Sequence, residues 1–396
     1  MRVEYVPVSD FGTVITGKTP STSKSEYWNG SIPFITPTDI NGYDMFRIYK
    51  TERYISNVGA DSQIKTVLPK ESVCVTCIGS TIGKVCLTSG YAITNQQINS
   101  IVVNNNYSPL YVYYVLRNNL KYIQMISGGT GSGTPIISKN KFEKIKYPVH
   151  IEIEMQNRIA DILSKYDELI EVNNQRIKKL EQTAEELYKE WFVRFRFPNW
   201  QNTEFENGIP KGWEYKSLFE IGKVDYGYAF SSNLFCDDNT LNPVVRIRDI
   251  QDNKTNTFTP EICDDKYLIS ENSILVGMDG IFHMCLWNGS KAFLNQRVVM
   301  INSIYANYCN YLLYLSLYPQ VKFWEAVIAG TTVAHLGDKH LKKMKILIPN
   351  DEFLKEYNPI FESLMVQKNR LMKQNDNLIK QRDYLLPRLM SGKLEV

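Results

Sequence analysis

The chain repeats itself. Moved along by 210 positions, its opening falls on its middle: Glu4 and Tyr5 on Glu214 and Tyr215, Gly12 on Gly222, Gly17 on Gly227, Ser21 on Ser231, Pro33 on Pro243, and Asp39 and Ile40 on Asp249 and Ile250. Further on the offset slips to about 200, as a loop of different length would cause. Gly79 then meets Gly280, Cys86 and Leu87 meet Cys285 and Leu286, and Asn95 and Gln96 meet Asn295 and Gln296. Tyr111 and Tyr114 meet Tyr311 and Tyr314, and Gly129 and Thr130 meet Gly330 and Thr331. A shared offset over so many scattered positions means one plan folded twice.

Each copy runs through short β-branched and aromatic stretches (100–103 and 297–301), then an apolar, Tyr-rich helical segment (108–126 and 307–328). A Gly-Thr loop, a basic segment and a short strand ending at Pro148 or Pro349 follow. Short strands mixed with helices, without a strand–helix–strand period, predict an α+β module. A long helix comes after each module. In the first, apolar side chains recur at Ile162, Tyr166, Leu169, Ile177, Leu180, Ala184, Leu187 and Trp191; in the second, at Phe361, Met365, Leu371, Leu378, Leu385 and Leu389. Steps of three and four put them on one stripe. Asn173 and Asn375 interrupt the two stripes at an offset of 202. A buried Asn at a seam position fixes register; the alternative is that Asn173 sits at the seam's edge and stays wet.

The expected architecture is two similar α+β modules, each followed by a long helix. The helices, on the order of 60 Å long at 1.5 Å per residue, pair as an antiparallel coiled coil with approximate two-fold symmetry. The segments are 1–150 (first module), 151–197 (central helix), 198–350 (second module) and 351–396 (C-terminal helix).

Hydrophobic residues at 43% and aromatics at 12% exclude wholesale disorder. No apolar run approaches the roughly 20 residues that span a bilayer, and MRVEYVPVSD has no apolar signal region. A cytoplasmic chain without a membrane partner is expected. The net charge of +3 is too small to imply nucleic acid, so a DNA surface needs local clusters of Lys and Arg. Seven cysteines point to reduced thiols. Cys74 and Cys77 form a CxxC, but VCVTCI alternates like a buried strand, and Cys86 has no partner at zinc spacing.

One enzyme signal needs weighing. Gly12 to Thr19 spells GxxxxGK[ST], the phosphate-binding loop, which requires a strand before it and a helix after it. Pro20-Ser21-Thr22 disfavours that helix, and the second copy reads Gly227-Tyr228-Ala229 in place of the Gly-Lys-Thr. The four histidines form no HExxH. No catalytic residue and no metal site is assigned.

DNA reading needs polar or cationic side chains on base edges, with separate cationic contacts to phosphate. In the first copy, GGTGSGTP (128–135), containing Thr130 and Ser132, precedes Lys139, Lys141, Lys144 and Lys146. In the second, AGTTVAH (329–335), containing Thr331, Thr332 and His335, precedes Lys339, His340, Lys342, Lys343 and Lys345. These basic runs are phosphate contacts or simply solvated helix faces. Arg246 and Arg248 are candidates for guanine. Lys18, Thr38, Ser80 and Lys84 are weaker candidates in the first copy, and Arg297 is either a reader or a salt-bridge residue.

The layout and several strings resemble the specificity subunit of type I restriction–modification enzymes. They are GKTPS (17–21), Gly79-Ser80 with Gly83-Lys84-Val85, the Asn-Gln pairs, IPKGWEYKSL (209–218), LYKEWFVRF (187–195) and LLPRLMSGKLEV (385–396). The resemblance covers nearly the whole chain. It implies two target-recognition modules that each read one half of a split site in double-stranded DNA, with the helices setting the spacing. It also implies docking of two methyltransferase subunits on exposed helix faces, LYKEWF and LLPRLMSG, and assembly with restriction subunits. S-adenosylmethionine and ATP chemistry would belong to those partners, with no cofactor and no catalysis on this chain. The competing readings are a phosphate-loop NTPase and a helical adaptor that does not touch DNA.

Overall fold

The computed structural model describes residues 3–127, 135–328 and 334–394. The chain forms two compact units, Met1–Val172 with Gln374–Val396, and Asn173–Lys373. Each contains one module and a stretch of both long helices.

In the first unit the main sheet runs Gly12–Thr16, Ile98–Val103, Val73–Thr76, Val85–Thr88 and Arg47–Ile48. A smaller sheet joins Arg53–Ile55, Trp28–Ile35 and Ile93–Thr94, and Val3–Pro7 pairs with Lys146–His150. The second unit repeats this with Gly222–Tyr226, Val298–Ser303, Ile274–Gly277 and Met284–Leu286 in the main sheet. Phe258–Thr259, Asn242–Val245 and Phe293–Leu294 make the smaller one, and Glu214–Ser217 pairs with Lys345–Ile348. The α+β plan expected from the duplication is therefore present twice, down to one parallel pair in each smaller sheet.

The CxxC is a strand. Cys74 faces Cys86 across the Val73–Thr76 and Val85–Thr88 pair, and both are fully buried. Burial pushes the Cys77 thiol up to about 11, which leaves it unreactive. The phosphate-loop reading is overturned: Gly12–Thr16 is a strand, and the next helical turn is the short Ser25–Tyr27. No helix N-terminus stands behind Lys18 to receive a phosphate.

The central helix runs Ile153–Tyr188 and continues as a π-helical turn, Lys189–Val193; the C-terminal helix runs Asp351–Met390. Asn350 caps the latter by accepting from the Phe353 N–H at 2.9 Å. The helices run antiparallel in both units. In the first, His150 contacts the Leu389 carbonyl while Asp167 pairs with Arg382. In the second, Glu181 pairs with Lys368 at 2.9 Å while Trp191 packs on Phe361, Tyr357 and Phe353.

Two details correct the sequence reading. The stripe of the central helix does not pass through Leu169, which is exposed; it runs through Ala160, Leu163 and Asp167. A charged residue lies on the seam, and a count of apolar positions steps around it. The apolar side chains of LYKEWF and LLPRLMSG are also not free for docking. Trp191 and Phe192 belong to the second unit's core with Trp213 and Phe353, and Leu386, Leu389 and Met390 belong to the first unit's core. Asn173 and Asn375 are both buried, which removes the wet-edge alternative.

Candidate nucleic-acid interface

The same turn is built in each unit by the same backbone bonds. In the first, the N–H groups of Gly17, Asn95, Cys77 and Gly79 donate to the carbonyls of Ile98 (3.1 Å), Ile35 (3.0 Å), Gln97 (2.8 Å) and Pro135 (2.9 Å). In the second, those of Gly227, Asn295, Met278 and Gly280 donate to Val298 (3.3 Å), Val245 (3.2 Å), Arg297 (3.0 Å) and Ala334 (3.0 Å). The duplicated glycines follow from this packing. A Cβ on Gly17 would stand 2.2 Å from the Asn95 oxygen, and one on Gly227 would stand 2.0 Å from that of Asn295. Gly79 and Gly280 have φ of 77° and 72°, the left-handed region that a side chain disfavours.

A second shared turn flanks the first. The Asp39 carboxylate accepts from the Thr36 N–H at 2.8 Å, as Asp249 does from Arg246 at 2.9 Å. Thr36 and Thr38 thus occupy the places of Arg246 and Arg248. By the same logic Gln97 occupies the place of Arg297, and Ile78, bridged to Ile136, that of Asp279, bridged to His335.

In the second unit these side chains line a cleft of about 560 Å³, with Arg246, Arg248, Arg297, Asp279, Phe230 and Phe235 on its walls. The Arg246 guanidinium lies over the Phe235 ring at 5.2 Å. Arg248 donates to Thr257 at 3.1 Å and has its Nε 3.7 Å from Asp249. Arg297 Nε sits 3.4 Å from one Asp279 oxygen, and His335 Nδ1 sits 2.6 Å from the other. Arg297 is salt-bridged to Asp279 and yet 59% exposed.

The other expected residues fare differently. Lys18, Thr38 and Ser80 are exposed, with Thr38 bonded to Thr36 at 2.8 Å. Lys84 turns inward and donates to the Ile40 carbonyl at 2.7 Å, so its ammonium is engaged inside the module. Lys139 lies 3.7 Å from Glu143, and Lys141 donates to the Ile126 carbonyl at 3.0 Å. Lys339 is exposed and makes no ion pair among the described residues. Thr130, Ser132, Thr331 and Thr332 lie outside the described residues. The His340 ring is kept below the ordinary histidine range by lost solvent first, then by Lys339 and Lys343. Sequence reading missed Thr36, Gln97 and Asp279. Their signal was available in the 210 and 200 offsets, which place the first two on Arg246 and Arg297.

Among the described residues no cluster of three or more His, Cys, Asp or Glu is arranged to hold a metal, and no helix is long and apolar enough to cross a membrane. Fork-shaped guanidiniums, hydroxyls and amides on braced turns are groups able to hydrogen-bond to base edges. Presented twice with different chemistry, they define a two-module recognition protein. The sequence pattern described as "Type I restriction modification DNA specificity domain" matches residues 2–182 and 210–381, and the chain belongs to that family. It is 30% identical over 98% of its length, and 93% of the relative's, to the type I restriction enzyme MjaIX specificity subunit of Methanocaldococcus jannaschii. The HindI specificity subunit of Haemophilus influenzae is 37% identical over 36% of this chain and 31% of its own. The crystal structure of a type I restriction–modification S subunit from M. genitalium shares the fold, with a TM-score of 0.57 at 16% identity over 98% of this chain and 96% of that one. The chain is therefore a specificity subunit, a DNA-recognition component and not a catalytic one.

Proposed function

We propose that this chain targets a type I restriction–modification complex to a bipartite site in double-stranded DNA, each module reading one half. The observation that carries this reading is the contrast at equivalent turn positions: Thr36, Thr38 and Gln97 in one unit, Arg246, Arg248 and Arg297 in the other. One scaffold with two sets of hydrogen-bonding groups suits two different half-sites. Lys18, Ser80 and Lys339, all exposed, are assigned to the DNA side, with Lys339 as a phosphate contact. The long helices set the gap between halves, and the buried Asn173 and Asn375 fix their register.

Exposed faces of the helices dock two methyltransferase subunits, and restriction subunits join that assembly. S-adenosylmethionine and ATP are bound by those partners, in the cytoplasm, and this chain binds no cofactor. The test is a methylome. Base modifications are mapped in host DNA with and without this gene, the partner methyltransferase being expressed in both. Loss of one gapped, asymmetric motif on deletion is the expected result. An unchanged methylome would sink the targeting role and favour an adaptor that leaves DNA alone.

A further inference from the structure

The residue after each Asn-Gln pair sits at the same point of the same turn: Gln97 carries the backbone oxygen that receives the Cys77 N–H, and Arg297 the one that receives the Met278 N–H. Both side chains leave a turn that three neighbouring segments brace, which is the preorganisation a base reader needs. Their surroundings differ in step with their chemistry. Beside Arg297, Asp279 takes the Nε side of the guanidinium and is itself held by His335. Beside Gln97, the matching positions are Ile78 and Ile136, and the amide is instead oriented by Asn95, whose Nδ2 donates to Gln97 Oε1 at 3.1 Å. A carboxylate thus stands behind the reading position only where that position holds a cation.

The engaged edge decides what each can do. With Asp279 on Nε, the terminal NH2 groups of Arg297 remain as a fork, the shape that matches guanine O6 and N7. Gln97 keeps its NH2 group and a second lone pair on Oε1, the donor and acceptor that match adenine N7 and N6. We propose that positions 97 and 297 are the paired specificity-determining positions of the two modules, Gln97 reading an adenine and Arg297 a guanine. Asp279 is a positioning residue that acts through Arg297. This rests on the targeting function proposed above.

The experiment uses the full chain with its methyltransferase and reads the methylome of wild type, Arg297→Ala, Gln97→Ala and Asp279→Asn. Wild type yielding no gapped motif would remove the targeting reading itself. Given a wild-type motif, Arg297→Ala is expected to relax one guanine in one half by about tenfold or more, with the other half unchanged. Gln97→Ala should relax one adenine in the opposite half. Asp279→Asn should relax the same guanine as Arg297→Ala, and add nothing in the Arg297→Ala background. Motifs unchanged at every position would overturn the assignment while leaving the targeting role standing. A variant that abolishes methylation is carried to the assembled complex and to oligonucleotides substituted at each base. There, lost discrimination at the one base supports the assignment, and uniform weakening at all positions overturns it.

Discussion

Asp167 of the central helix and Arg382 of the C-terminal helix, 215 residues apart, form an ion pair with side chains only 2% and 1% exposed. Tyr114 donates to the second Asp167 oxygen at 2.5 Å, and Arg117 lies 3.8 Å from the first. The second unit carries no charge at the places of Asp167, Arg382 and Arg117, although Glu181 and Lys368 pair elsewhere on its helices. Gln156 accepts from the Ser108 N–H as Asn358 does from that of Cys309, and the 202 offset carried along the helix puts Asn369 at the Asp167 place. Leu180 and Leu317 stand at the places of Arg382 and Arg117, while Tyr314 repeats Tyr114.

Removing one partner should therefore be far worse than removing both. Asp167→Ala leaves Arg382 only Asp383 at 2.9 Å and Asp44 at 3.6 Å, both partly exposed, and Arg382→Ala leaves Asp167 only Tyr114 and Arg117; each is expected to cost up to about 3–5 kcal/mol. Asp167→Asn with Arg382→Leu copies the second unit's seam and should recover most of that loss. Arg117 keeps Asp44 at 2.5 Å and Asp383 at 3.6 Å in this double variant. Denaturant unfolding of the purified chain compares the three. Equal destabilisation by the single and double changes would refute the compensation.

Gly17 and Gly227 give a prediction that separates the modules. Alanine at either site drives a methyl group into the carbonyl of Asn95 or Asn295, a backbone atom that cannot rotate away. Each change should destabilise its own unit by about 1–3 kcal/mol and loosen base choice in one half-site only. The readings are unfolding midpoints and methylation motifs. Equal damage to both halves from one substitution would contradict independent turns.

Much of this was legible because duplication makes the chain its own control. The offsets located Gly17, Gly227, Gly79, Gly280 and the Asn-Gln pairs, and each proves to be a packing or backbone requirement shared by both turns. Periodicity also found both long helices. What stayed hidden needed side-chain partners at long range. Nothing near Asp167 in sequence announces Arg382, so a buried charge was stepped over and exposed Leu169 put in its place. Trp191 and Phe192 read as a docking string because Trp213 and Phe353, which cover them, lie far along the chain. Lys84 and Lys141 read as free cations for a similar reason: the carbonyls of Ile40 and Ile126 that engage them carry no sequence signature.

Lys339 and Arg297 should fail in different ways. Lys339 is exposed, with no ion pair among the described residues, on the short helix Asp338–Leu341. As a phosphate contact, its change to alanine should weaken binding about equally on all sequences and lower the slope of log affinity against log salt by about one. Arg297→Ala should instead relax one base. Titrations of the assembled complex on cognate and substituted duplexes, at several salt concentrations, distinguish them. A Lys339→Ala complex with an unchanged salt slope would place that ammonium off the DNA.

His340 supplies a pH dependence whose sign is fixed by its surroundings. Its Nδ1 accepts from the Gly337 N–H at 3.0 Å, and its ring packs on Trp324 at 4.9 Å. Only the neutral ring can accept that bond. Lost solvent, then Lys339, Lys343 and His335, oppose the charged form and outweigh the Gly337 backbone contact that favours it, so the folded pKa lies below the ordinary 6.5. The unfolded chain therefore binds the proton first. The stability that His340 contributes is present above pH 6.5 and is lost as pH falls through the lower folded value. Protection of the Gly337 amide, corrected for intrinsic exchange, should fall over that interval in wild type. It should be low and nearly independent of pH in His340→Ala, whereas a wild-type amide equally protected at pH 5 and pH 7.5 would mean that the ring does not hold this turn.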